Sequence, residues 1–183
     1  NLLNASFMGV TLVLPLYVEG LCGGTALDAG IVLLAGTVAA LMLNPLAGFL
    51  TDRVGVRPVA VVSGAFLATG AVLTVFLRAD TPLVTVMLFQ AVRAMGVSGL
   101  VGPLTSWSLA KLPRTLVSDG SSFCIAVRQA CASFGTSAMV FAITVTGASA
   151  IGLANPALAY QLAFGISAVI AVATLAFIVA KVR

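Results

Sequence analysis

Asn44–Pro58, NPLAGFLTDRVGVRP, is a polar hairpin set between two long apolar runs. Ahead of it lies AGIVLLAGTVAALMLNPLAGFL (29–50), and behind it VAVVSGAFLATGAVLTVFL (59–77). Each run is about twenty residues without a charge, the length a helix needs to cross a bilayer. The hairpin carries Asp52, Arg53 and Arg57, with Gly48 and Gly55 at its shoulders. A connection this short holds no folded domain. It returns one span beside the other and fixes a charge pattern at one membrane face.

Composition extends this reading to the whole chain. It is 61% hydrophobic and 8% charged, whereas a soluble domain carries about 25% charged residues. That is too few charges to build a soluble surface, so the protein is integral to a lipid bilayer. The nine basic residues stand singly between apolar runs, not in a patch, so no nucleic-acid partner is implied. No basic leader or small-residue cleavage site precedes the first run, which argues against a signal peptide. The chain is expected to begin inside a span of something longer. Histidine is absent. Its absence removes the usual Ser-His, Cys-His and zinc-ligand sites, so neither an enzyme nor a cofactor or metal site is expected. Cys22, Cys124 and Cys131 form no C-x-x-C and read as small buried packing residues.

Apolar runs of membrane-spanning length lie at about 1–20, 29–50, 58–77, 82–110, 120–146 and 157–180. Together they make a single all-α bundle of six spans over 1–183. Gly102-Pro103 is expected to kink the fourth. Thr25-x-x-Asp28 reads as a capping box with Asp in the Glu role, and Ser118 or Asp119 as the cap of the fifth span. Lys and Arg in loops set orientation. Arg53, Arg57, Lys111, Arg114, Lys181 and Arg183 fall on one side and only Arg78 on the other. The hairpin at 51–57 and the C-terminus are therefore expected to be cytoplasmic. Gly64, Gly70, Gly96, Gly99, Gly135 and Gly165 read chiefly as close-packing positions, since small residues let membrane helices approach.

Two charges lie within spans. Arg93 falls near mid-depth of the fourth and Arg128 deep in the fifth. Gln90 shares a face with Arg93, three residues on, and Gln129 follows Arg128. Each arginine either ties helices together through backbone carbonyls or lines a polar cavity. The carboxylates Glu19, Asp28, Asp52, Asp80 and Asp119 all fall near membrane faces, so none is positioned for either arginine. A partner must come from backbone carbonyls, water, a substrate, or protein outside this chain.

The hairpin resembles the loop between the second and third helices of a major facilitator superfamily half, roughly G-x-L-x-D-R-x-G-x-R. Here the pattern reads Gly48, Leu50, Asp52, Arg53, Gly55, Arg57. SFMGVTLVLPLYVEGLCGGTALDAG (6–30) resembles the seventh helix and following loop of a twelve-helix member. VRAMGVSGLVGPLTSWSLAKLP (92–113) resembles the fourth helix of the second half, and LVSDGSSFCIAVRQACASFGTSA (116–138) the start of the fifth. The whole is most similar to the second half of the fourteen-helix drug:proton antiporter branch.

That resemblance implies a secondary transporter in the cell membrane, exporting drug-like or amphiphilic small molecules by alternating access. It implies an absent N-terminal half as partner. Proton coupling follows from the resemblance alone, because the carboxylates such antiporters use, and the G-P-x-x-G-G signature of their fifth helix, lie in that half. By analogy the first and fourth spans border the substrate cavity. This nominates Asn4, Thr11, Tyr17, Gln90 and Arg93, with Arg128 and Gln129 as neighbours. It also nominates Gly48, Asp52, Arg53, Gly55 and Arg57 as a conformational-switch loop. A stand-alone six-span scaffold or channel, with a homodimer as one form of it, is the alternative. Further helices encoded upstream would decide against it.

Overall fold

The computed structural model describes residues 1–78, 81–109, 113, 116–148 and 156–181. Asp80, Lys111, Arg114 and Arg183 lie outside the described residues. The helices are α1 (Leu2–Gly20), α2 (Ala26–Val54), α3 (Val56–Val75), α4 (Leu83–Leu109), α5 (Val117–Ala148) and α6 (Pro156–Lys181). All six are long and apolar enough to cross a membrane. The protein is an all-α, multi-pass membrane protein.

Two local expectations change. The stretch from Asn44 is not loop: α2 continues through Pro45 to Val54, and Gly55 alone separates it from α3. Within lipid every backbone group must be satisfied inside the segment, which favours carrying the helix to its end. The Gly55 N–H closes the last turn on the Thr51 carbonyl at 3.0 Å. Gly55 sits at φ 94°, ψ 164°, a region essentially reserved for glycine. It is what allows the chain to reverse in one residue. At the other end of the chain, α5 begins at Val117, so Ser118 and Asp119 lie inside its first turn and not at its cap. Asp119 there still complements the helix dipole. The capping box at Thr25 forms as expected: Asp28 accepts from the Thr25 N–H at 2.8 Å, and the Thr25 hydroxyl accepts from the Asp28 N–H at 3.3 Å. α4 runs as one helix through Pro103.

The packing repeats itself. α4 lies against α2 and α3, α1 lies against α5 and α6, and α3 meets α6 between the two groups. Replacing each helix by the one three places along the chain leaves this pattern unchanged, the signature of an internal three-helix repeat. α1, α3 and α4 are the inner helices: of their apolar stretches, 56%, 50% and 50% are buried, against 17% for α2 and for α5, which edge the bundle.

Lipid supplies no hydrophobic drive for helices to associate, so close approach and polar links must do it. Gly96 brings α4 onto the backbone of α3 at Leu67 and Ser63. Gly70 answers from α3, where a Cβ would stand 2.8 Å from the Arg93 Cα. Gly135 does the same for α5 on Ala5 of α1. Gly165 differs: nothing lies within 4 Å of a Cβ placed there, so it is not a packing position. The Ser6 and Ser167 hydroxyls meet at 2.7 Å between α1 and α6. The Tyr17 hydroxyl donates to the Arg78 carbonyl at 2.7 Å, tying α1 to the end of α3. Cys22, Cys124 and Cys131 are free and only half-buried.

Candidate functional site: a cavity between α1, α2 and α4

A cavity of about 640 Å³ opens between α1, α2 and α4. Phe7 and Thr11 contribute from α1; Gly36, Thr37 and Asn44 from α2; Gln90, Ala94 and Ser98 from α4. Its walls are mainly apolar with a few amides and hydroxyls, the composition of a small-molecule site, and its size is in the usual range for one. The Ser98 hydroxyl lies 2.7 Å from the Asn44 Oδ1 and 3.1 Å from the Ala40 carbonyl, which links α4 to α2 along one edge. Thr11 and Thr37 turn their hydroxyl protons back onto their own helices, to the Phe7 and Leu33 carbonyls.

The seven residues nominated from sequence separate into five places. Thr11 and Gln90 line the cavity. Arg93 does not line it: the side chain is 0% exposed and lies behind Gln90. Its Nε and one terminal nitrogen donate to the Gln90 Oε1 at 3.2 and 3.0 Å, and the other donates to the Ser6 carbonyl of α1 at 3.5 Å. The guanidinium also stands 5.1 Å from the centre of the Phe7 ring, a favourable cation–π placement. Asn4 and Arg128 come together elsewhere, the Asn4 amide donating to the Arg128 carbonyl at 3.3 Å. The Arg128 side chain borders a separate space of about 270 Å³ between the ends of α4 and α5. Tyr17 is buried at the far end of α1, edge-on to Tyr160 and Phe164. Gln129 is exposed on α5.

The hairpin adjoins the cavity. Gly48 and Asp52 line a space of about 220 Å³ that shares Asn44, Ser98 and Gly102 with the larger one. Arg53 folds back over Phe49, 4.4 Å from the ring centre. Asp52, Arg53, Gly55 and Arg57 are all exposed.

The contribution of α2 was not read from the sequence. Thr37 and Asn44 are seven residues apart and so share a face. They are polar interruptions in a run that is otherwise apolar, the signal that would have found them.

Six apolar spans, with a cavity opening between three of them, define a polytopic helical membrane protein. No family model and no solved structure matches the chain. Curated proteins do. The MFS-type transporter YhcA of Bacillus subtilis is 35% identical over 125 residues, 68% of this chain and 24% of that protein. The riboflavin transporter RibZ of Clostridioides difficile is 28% identical over 70% of the chain and 28% of its own length. The lincomycin resistance protein LmrB of Listeria monocytogenes is 30% identical over 77% of the chain and 29% of its own length. The chain belongs to the major facilitator superfamily, and it aligns with less than a third of each of these relatives.

Proposed function

We propose that residues 1–183 are the second six-helix half of a secondary transporter that exports drug-like or amphiphilic small molecules from the cell, coupled to protons. The cavity between α1, α2 and α4 carries this reading: it is large enough for a drug-sized solute and bordered by two of the inner helices, α1 and α4. In this reading an N-terminal half closes the open side, and the solute sits between two halves that rock about it. Relatives named for lincomycin resistance and for riboflavin transport point to solutes of this size class. The hairpin serves as the switch. Asp52 borders a space that shares Asn44, Ser98 and Gly102 with the cavity, so a contact it makes in one state and loses in the other would bias the equilibrium between them.

Two experiments test the proposal on the intact protein expressed from its complete gene. In a background lacking the native cysteines, Ala40→Cys places a thiol on the cavity wall and Gly165→Cys places one on open surface. Treatment with a bulky maleimide should abolish efflux of lincomycin or riboflavin for the first and leave the second unaffected. Full-rate export by labelled Ala40→Cys would remove the cavity from the transport path. For orientation, Val54→Cys and Ala148→Cys are treated in intact cells with a membrane-impermeant thiol reagent. The Lys and Arg bias places position 54 in the cytoplasm, so only position 148 should label. Labelling at 54 and not at 148 would reverse the assignment.

A further inference from the structure

The pairing of Arg93 with Gln90 fixes more than a helix contact. A guanidinium has donors and no acceptor. Two of its N–H groups converge on the Gln90 Oε1, so the amide must turn its oxygen inward. The Gln90 Nε2 then points the other way. No hydrogen bond within the described residues uses its protons, and no buried side-chain nitrogen in them lacks a partner. The Nε2 therefore reaches the cavity that Gln90 lines. Gly36 on α2 leaves the room for it, since a Cβ at that position would stand 3.3 Å from the Nε2.

The hydroxyls of the wall do not compete, while the Asn44 amide, held through its Oδ1 by Ser98, is a second donor there. The Thr11 and Thr37 protons are taken by carbonyls of their own helices. Among the described residues no basic or acidic side chain lines the cavity; Asp52 belongs to the adjoining space at the hairpin. Behind Gln90 the Arg93 charge is met only by an amide oxygen, a carbonyl and an aromatic ring, with no carboxylate within ion-pair distance among the described residues. In a low-dielectric interior such a charge polarises the amide it holds and sets a positive potential on its far side.

Resting on the reading of this cavity as the substrate site, we infer that Gln90 is its specificity residue and Arg93 the residue that positions it. Together they select solutes that bring an acceptor oxygen, carbonyl or carboxylate, to the wall, and they disfavour ammonium solutes.

The test uses the intact protein in lipid nanodiscs and three fluorescent probes of one scaffold: pyrenebutanoate, pyrenebutanamide and pyrenebutylammonium. Binding is read by anisotropy against empty nanodiscs. The carboxylate and amide probes should bind about tenfold or more tightly than the ammonium probe. Gln90→Glu keeps the size and still satisfies Arg93, but it neutralises the charge and offers an acceptor in place of the donor. It should reverse the order. Arg93→Lys should retain binding while narrowing the preference, which a purely structural arginine would not do. Equal or tighter binding of the ammonium probe to the wild type overturns the inference, as does an unchanged order in Gln90→Glu. Either result with lincomycin or riboflavin export intact leaves the transporter reading standing. Failure of all three probes to bind the wild type would remove the cavity as a ligand site, and this inference with it.

Discussion

Arg93→Ala should lower both the amount of folded protein in the membrane and the transport per molecule, the latter by about tenfold or more. The side chain is fully enclosed where α4 meets α1, so truncation leaves a cavity that packed helices can only partly close. Large-to-small changes of this kind cost about 2–5 kcal/mol. The loss also frees the Gln90 Oε1 and takes one of its donors from the Ser6 carbonyl. Arg93→Lys should fall between Ala and wild type. It keeps the charge but cannot place two N–H groups on one oxygen and reach a carbonyl on the neighbouring helix as well. Val172, exposed on α6, supplies the control: Val172→Ala should accumulate and transport like wild type. The measurements are efflux normalised to protein in the membrane, and thermal unfolding of the purified protein. Wild-type export by Arg93→Ala would show that neither the packing nor the Gln90 orientation depends on this residue.

Gly96→Ala should destabilise the protein by about 3 kcal/mol, because overpacking forces backbone to move. The added methyl would press on the Leu67 backbone and the Ser63 carbonyl of α3, not on the end of a flexible side chain. Since α3 and α4 are also tightly apposed at Gly70, the whole crossing would have to open. The companion variant reverses the sign. Gly165 lies in α6 with nothing within 4 Å of the position a methyl would take. Gly165→Ala should be neutral or stabilising, because alanine is the better helix former by about 1 kcal/mol. Thermal unfolding of the two variants in the same detergent decides the matter, and equal midpoints would refute the packing assignment of Gly96.

The six spans were legible because the membrane simplifies the code. A helix that must satisfy its own backbone in lipid needs about twenty apolar residues, and runs of that length cannot be mistaken for loops. The ends were less legible. α2 passes Asn44 and Pro45 without a break, although both read as turn residues in a soluble protein. In lipid the cost of leaving backbone groups unpaired outweighs their local preference.

The candidate site divides along the same line. Residue type and depth pointed to Gln90 and Arg93, since a charge and an amide three residues apart in mid-span need a reason. Which of the two meets the cavity was decided only by how α4 sits on α3 and faces α1, which encloses the guanidinium and leaves the amide at the wall. Asn4 and Arg128 show the same limit. Both are polar positions within spans, yet they meet at a different gap because α1 packs chiefly on α5. The sequence by itself determined class, span number and the inventory of intramembrane polar groups, because these depend on composition along one segment. The tertiary structure alone decided which of those groups face each other, which face the cavity, and which glycines serve as contacts. Those outcomes depend on helices far apart in the chain, and an all-apolar surface gives no periodicity from which to read its partner.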